Sequence, residues 1–231
     1  MTPLPDPGEL ARTIDHTLLK PEATADQIDE LCRDARQYGF AAVCMNPVFV
    51  RRAASQLDGT ETVVCSVAGF PLGATPTANK VDEARRGVED GAREIDMVIH
   101  VGGLLQGDVD AVHDDIAGVV EVVHRAGQGH LVKVILECGA LSDEQVATAC
   151  GLAERAGADF VKTSTGMHAS GGATIDSVRL LRAHAGRMSV KAAGGIRTLD
   201  QALAMLEAGA DRLGTSAGVA ILDELNARLK G

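Results

Sequence analysis

Tryptophan is missing from this 231-residue chain, and one tyrosine and four phenylalanines make up its other benzene-type rings. Excess positive charge is missing too: the formal net charge is −10 at pH 7. A nucleic-acid partner calls for a basic face to neutralise phosphates, so that class is set aside. A small anionic substrate is not, because a local pocket can be positive on an acidic protein. No apolar run reaches the roughly 18 residues of a membrane span, so no membrane partner is expected. The opening residues, MTPLPDPGEL, hold neither the basic stretch nor the apolar stretch of a secretory leader. The cysteines, Cys32, Cys44, Cys65, Cys138 and Cys150, are odd in number and irregularly spaced. Reduced thiols and a cytoplasmic location are the expectation. Without a Ser/Gly linker, a low-complexity tract or a charge block, residues 1–231 read as one domain.

What is present is alternation. Eight short apolar, β-branched runs recur: 12–17, 41–45, 62–67, 94–99, 131–137, 159–163, 189–192 and 212–215. Amphipathic stretches lie between them, among them 25–38, 78–91, 109–126, 142–156, 174–185 and 199–208. Strand followed by helix throughout implies parallel strands with crossover helices. Eight such units in this length predict a single-domain (β/α)8 TIM barrel, with a doubly wound open sheet as the rival. No Gly-x-Gly-x-x-Gly follows the first strand, which counts against a dinucleotide fold. Gly39, Gly157 and Gly209 stand where helices give way to strands and are expected C-caps.

Lysine is scarce, and its placement is informative. Of six lysines, Lys133, Lys162 and Lys191 lie inside expected strands. A lysine in a buried parallel strand brings its ammonium into the interior, which is costly unless it is paired. Each alone reads as a snorkelling side chain or a structural ion pair. Three on consecutive strands point to chemistry, and Lys162 and Lys191 come near the C-terminal strand ends, where barrel active sites sit. A lysine that forms a Schiff base must be neutral. A second ammonium and partial desolvation favour the free amine, so two lysines on adjacent strands form a nucleophile and its electrostatic neighbour. Asp96, an acid inside an apolar strand, is a candidate proton acceptor or, on the blander reading, a lysine's ion-pair partner.

Two glycine-bearing loops occupy the ordinal positions of a barrel's phosphate site, after strands seven and eight. The first is Ala193-Gly194-Gly195-Ile196-Arg197-Thr198, in which Thr198 and Gln201 form a capping box and the glycines let backbone N–H groups approach an anion. The second is Gly214-Thr215-Ser216-Ala217-Gly218. A third stretch, Ser170-Gly171-Gly172, follows strand six and is expected to close over substrate. The seven histidines are scattered without metal spacing, so no metal is expected. His100 and His168 follow strands four and six and read equally as site-facing or as polar loop residues. Gly-x-Ser-x-Gly is absent, which disfavours an α/β-hydrolase. Cys44 reads as a small packed hydrophobe.

Several segments resemble the deoxyribose-phosphate aldolase family, nearly end to end. They are Asp15-His16-Thr17-Leu18-Leu19, residues 94–99, residues 133–137, residues 159–166, residues 190–197 and Gly214-Thr215-Ser216. The resemblance implies a (β/α)8 barrel without metal or organic cofactor. The reaction it implies is reversible cleavage of 2-deoxy-D-ribose 5-phosphate to D-glyceraldehyde 3-phosphate and acetaldehyde. It makes Lys162 the Schiff-base lysine, Lys191 the lysine that perturbs it and Asp96 the proton donor and acceptor. Gly194, Gly195 and Ser216 fall in its phosphate loops, and Thr17, Gly171 and Gly214 join them as candidate substrate contacts. The chain departs from the family's pattern at His100, at Cys138, at Ala217 and in a longer Met167-His168-Ala169-Ser170 loop. Two rivals stay open: another Schiff-base phosphosugar aldolase or transaldolase-like enzyme, and a non-catalytic phosphosugar-binding barrel. Either monomer or homodimer fits the composition.

Overall fold

The computed structural model describes residues 4–230. The start of the stretch read for a leader, Met1 to Pro3, and the last residue of the expected domain, Gly231, lie outside the described residues. Among those described, eight parallel strands close in sequence order: β1 (Ile14–Leu18), β2 (Ala42–Met45), β3 (Val63–Ala68), β4 (Glu94–Val98), β5 (Leu131–Ile135), β6 (Phe160–Lys162), β7 (Ser189–Ala193) and β8 (Arg212–Thr215). β8 pairs with β1, Gly214 beside Asp15, so the barrel is closed and the open-sheet rival is excluded.

The outer ring holds α1 (Pro7–Ala11), α2 (Ala25–Tyr38), α3 (Val50–Leu57), α4 (Thr77–Glu89), α5 (Val101–Leu105), α6 (Val109–His124), α7 (Asp143–Arg155), α8 (Ile175–His184), α9 (Leu199–Glu207) and α10 (Gly218–Lys230). Local chemistry starts and stops them. Thr24 with Gln27, Ser142 with Gln145 and Thr198 with Gln201 form reciprocal capping boxes at α2, α7 and α9. α2 ends at Gly39, whose φ of 72° is the left-handed conformation that glycine reaches without a Cβ penalty. α2 buries Ile28, Leu31, Cys32 and Ala35, the i, i+3, i+4, i+7 stripe of a helix with one apolar face.

Two packed regions result. The larger fills the space between helices and strands; the smaller lies inside the barrel and contains Leu19, Ala42, Cys44, Cys65 and Val67. The interior is therefore apolar on the β2–β3 side. On the β4–β8 side Glu94, Asp96, Lys133, Lys162, Lys191 and Arg212 bring charge inward. Side chains alternate along a strand, so Glu94 and Asp96 share the inner face of β4. Register sets Asp96 beside Lys133 and Lys162 beside Lys191.

Three strands, β4, β5 and β6, end earlier than their apolar runs, whereas β1, β3 and β7 run one residue further. β5 stops at Ile135, and Glu137 takes a left-handed φ of 58° as the chain turns outward. The expected first strand shifts to Ile14–Leu18 because Arg12 caps α1. α3 and α10, not singled out from sequence, bury Val50, Ala53 and Leu57, and Ile221, Leu222 and Leu225.

Candidate active site

Lys162 ends β6 and is 3% exposed; Asp96, Lys133 and Lys191 are fully buried beneath it. The side-chain nitrogens of Lys162 and Lys191 both donate to Asp96 Oδ2, each at 2.7 Å. Lys133 donates to Asp96 Oδ1 at 2.9 Å and pairs with Glu94 at 2.5 Å. Asp15 receives Lys191 on one oxygen and Arg212 on the other, the latter at 2.6 Å. Arg212 also reaches Glu94, at 3.3 Å, and its guanidinium lies over the Phe160 ring. The expected triad of Lys162, Lys191 and Asp96 is thus one contact cluster, and it extends through the barrel to the floor.

Burial alone would push the Asp96 carboxyl up, but its lysine neighbours, Lys133 first and then Lys162 and Lys191, outweigh it and hold the carboxyl well below the usual range. Asp15 is likewise lowered against its burial by Lys191, Lys133 and Arg212. Burial works against charge on Lys133 and Lys191 as well, yet their carboxylates raise both above the ordinary lysine value. In the resting site Lys191 is therefore an ammonium beside Lys162, and Asp96 a carboxylate.

Above Lys162 opens a cavity of about 230 Å³, lined by Thr17, Lys162, Gly194, Gly195, Gly214 and Ser216 from the expected set. Gly171 does not line it; with φ 96° it turns the loop, while its neighbour Gly172 packs directly on the Gly194 backbone. A Cβ on Gly172 would lie 2.2 Å from Gly194 O, and one on Gly166 would lie 3.2 Å from Gly194 Cα. The loop after β6 is thus packed at Gly166 and Gly172 onto the loop after β7. The N–H groups of Arg197 and Thr198 donate to Gln201, and that of Leu199 donates to Glu224. The α9 terminus is satisfied internally, which leaves the Gly194-Gly195-Ile196 turn to face an anion. Thr215 Oγ1 donates to Ile196 O at 2.6 Å and fixes the two phosphate-type loops against each other.

Residues without an assigned role in the sequence complete this site. Lys20 and Arg197 stand exposed on the cavity wall and supply the positive charge that an acidic chain needs locally. Arg197 lay in the glycine segment itself; Lys20, just past β1, carried no signal beyond its scarcity. Asp15, Glu94 and Arg212 could have been found from alternation, since each sits an even number of residues from an inward position on its own strand or opens one. A second cavity of about 380 Å³, lined by Leu72, Val98, Val101, Ala140, Met167 and Ala169, adjoins the first and shares Thr165 and Met167 with it.

The departures from the family pattern fall outside the charged cluster. The His100 ring sits over Gly103, where an added Cβ would meet Nδ1 at 2.8 Å. His168 lines the apolar cavity, with Nδ1 bonded to Ser170 Oγ at 2.7 Å. Burial pushes the Cys138 thiol up to about 12, and its N–H donates to Thr163 O, so it acts as packing. Ala217 N–H donates to Thr215 Oγ1. Cys44 is fully buried in the apolar half of the barrel. Among the described residues, two groups have metal-like proximity: Cys44, Cys65 and Asp96, and Asp15, Cys65 and Glu94. Their carboxylates already carry ammonium or guanidinium partners, so a cation would have to displace a buried ion pair.

The model of the DeoC/LacD family of aldolases matches residues 10–224. The chain belongs to this family. A deoxyribose-phosphate aldolase of Thermococcus gammatolerans is 56% identical, with 93% of this chain and 96% of that protein covered. One from Streptococcus pneumoniae is 54% identical with the same coverage. Among solved structures, a putative deoxyribose-phosphate aldolase from Coccidioides immitis superposes with a TM-score of 0.91 at 42% identity, covering 97% of this chain and 88% of that one. The deoxyribose phosphate aldolase of Aeropyrum pernix, described as a unique tetramer, superposes at 0.90 with 37% identity, covering 96% and 93%. Across the DeoC/LacD match run all eight strands, so the lysine cluster and both glycine loops lie inside it. Among the described residues, no helix is long and apolar enough to cross a membrane.

Proposed function

We propose that this member of the aldolase family reversibly cleaves 2-deoxy-D-ribose 5-phosphate to D-glyceraldehyde 3-phosphate and acetaldehyde, in the catabolism of deoxyribose phosphate. The observation that carries the reading is Lys162 at the base of a cavity. Its amine is set against Asp96 and Lys191, and two glycine loops and two cations rise above it. That cavity fits a short chain with a carbonyl at one end and a phosphate at the other.

The steps follow from these groups. The neutral amine of Lys162 adds to C1 of the open-chain sugar, and loss of water gives an iminium. The C3 hydroxyl gives its proton towards Asp96 through a water and Lys191, whose ammonium donates to both Asp15 and Asp96 and passes one proton on as it takes another. The C2–C3 bond breaks and its electron pair moves into the iminium, which leaves an enamine and glyceraldehyde 3-phosphate. Protonation at C2 and hydrolysis return the amine and release acetaldehyde. Phosphate held by Lys20, Arg197 and the glycine turns supplies remote binding energy that aligns C1 with Lys162.

The chain works as one domain on this reading, in the cytoplasm, where its five buried thiols stay free. Sedimentation separates the two assemblies that the sequence leaves open, monomer and homodimer. Incubation with acetaldehyde, borohydride reduction and peptide mass spectrometry test the central claim. A two-carbon adduct on Lys162 is expected. A folded protein without an adduct sinks it and favours the binding-barrel reading. Turnover of other aldol substrates above that of deoxyribose 5-phosphate favours a different Schiff-base aldolase.

A further inference from the structure

Two of the residues in the buried cluster stand as far from the cavity as the barrel allows. Glu94 opens β4 and Arg212 opens β8, so both lie on the floor, whereas Lys162 ends β6 at the top. They line a floor cavity together with Arg12 and Arg36, and neither lines the cavity above Lys162. An unbroken chain of ion pairs nevertheless joins them to it: Glu94 to Arg212, Arg212 to Asp15, Asp15 to Lys191, Lys191 to Asp96 and Asp96 to Lys162. Lys133 makes a second link, from Glu94 directly to Asp96.

We propose that Glu94 and Arg212 are positioning residues that set the charge carried by Lys162. The inference rests on the Schiff-base reading above. Its basis is a count of buried charge. Asp15, Glu94 and Asp96 supply three negative charges; Lys133, Lys191 and Arg212 supply three positive ones. The cluster is balanced when Lys162 is a neutral amine. A proton on Lys162, which is 3% exposed, leaves one positive charge unanswered in a largely buried cluster, which is costly. The floor pair thereby favours the nucleophilic form of an amine it does not touch.

Other titratable groups face the interior from the remaining strands. Cys65 on β3 is raised well above the ordinary thiol value, by burial first, and stays neutral. Cys44 on β2 is lowered by its hydrogen bond with Cys65, so its titration must be separated from that of Lys162. Above Lys162, Glu137 is held by Thr165, and Lys20 and Arg197 stand exposed to screening water.

The test is the acid limb of two pH profiles, kcat/KM for deoxyribose 5-phosphate and borohydride trapping of acetaldehyde on Lys162. Arg212→Met leaves a carboxylate unanswered, so Lys162 keeps its proton longer and the limb moves up, by about one pH unit. Glu94→Gln leaves an extra positive charge, so the limb moves down by about as much. The double variant restores the balance and returns the limb to its wild-type position, whereas two merely structural losses would compound. Arg212→Lys and Glu94→Asp, which keep the charges, leave the limb in place. All profiles are repeated on a Cys44→Ser background. Limbs that stay put, that move in the same direction in both single variants, or that vanish with Cys44 overturn the inference. If one single variant fails to fold, the other single and the double decide it. A wild type that traps no acetaldehyde at any pH sinks the Schiff-base reading instead, and is told apart by that.

Discussion

At the scale of single residues, the site divides into groups that react and groups that hold. Lys162 is the only one of the four clustered cations that lines the substrate cavity among the described residues, and the bond it makes to substrate has no substitute nearby. Lys162→Ala should lower kcat by at least ~10³-fold while circular dichroism and melting stay close to wild type. Activity within tenfold of wild type would remove Lys162 from the mechanism. Lys20 and Arg197 act at the other end of the substrate. Replacing either by Gln should raise KM for deoxyribose 5-phosphate by roughly 10-fold, the worth of one charge-assisted hydrogen bond, and leave turnover of unphosphorylated deoxyribose unchanged. An equal loss on both substrates would mean that the cations do not meet the phosphate. Residue types announced the reacting part of the site: three lysines in apolar strands and an acid between them are chemically expensive, and expense is visible in a sequence. The holding part was quieter. Asp15 and Arg212 sit at strand starts next to ordinary polar turns, and only the closure of β8 on β1 brings them together.

At the scale of elements, what the sequence made legible was periodicity, and what it hid was where each strand stops. The strand order and most helices follow from alternation of two patterns with periods of two and 3.6. Strand ends depend on contacts that no local pattern records. Glu137 leaves β5 because its carboxylate is captured by Thr165 N–H and Oγ1, a partner 28 residues away. Lys80 is another long-range tie. It is fully buried on α4, pairs with Asp115 of α6 and donates to Val98 O at 2.9 Å, the last carbonyl of the strand that carries Asp96. Its stem lies against Gly69, where even a Cβ would meet Lys80 Cε at 2.8 Å. Thr77 adds a bond to the same Asp115 at 3.0 Å. Lys80→Met would leave Asp115 buried without its cation, a loss of about 3–5 kcal/mol on the usual scale for breaking one side of a buried pair. Denaturant unfolding should show that loss in the single variant and a smaller one in Lys80→Met/Asp115→Leu, where no charge is stranded. Equal losses in both would mean that packing of the lysine stem, and not the ion pair, ties α4 to β4.

At the scale of the whole molecule, the ionic interior also closes the barrel. Asp15 on β1 binds Lys191 on β7 and Arg212 on β8, and so bridges the seam where the last strands meet the first. The pH dependence of that contribution has a fixed sign. The folded Asp15 carboxyl lies below its ordinary value of 3.8, against the effect of burial, because Lys191, Lys133 and Arg212 favour the charged form. Such a group stabilises the fold fully above the unfolded value, and the stabilisation fades as pH falls from there through the folded value. Lys133 and Lys191, raised from 10.5, behave in the mirror sense: their contribution is complete below 10.5 and fades as pH rises through their folded values. The contribution of these three groups should therefore be flat across neutral pH and fall at both extremes. Asp15→Asn isolates the acid side. Its side chain cannot ionise, so it leaves the ammonium and guanidinium underpaired at every pH. The melting-temperature gap between wild type and Asp15→Asn should be widest near pH 7. It should begin to narrow below about pH 4, where the wild-type carboxyl starts to gain the proton that makes it resemble the amide. Calorimetry at pH 7, 5 and 3 measures the gap. A gap that stays constant down to the lowest pH at which both proteins remain folded would show that Asp15 acts at the seam by shape and hydrogen bonding alone, with its charge contributing nothing to closure.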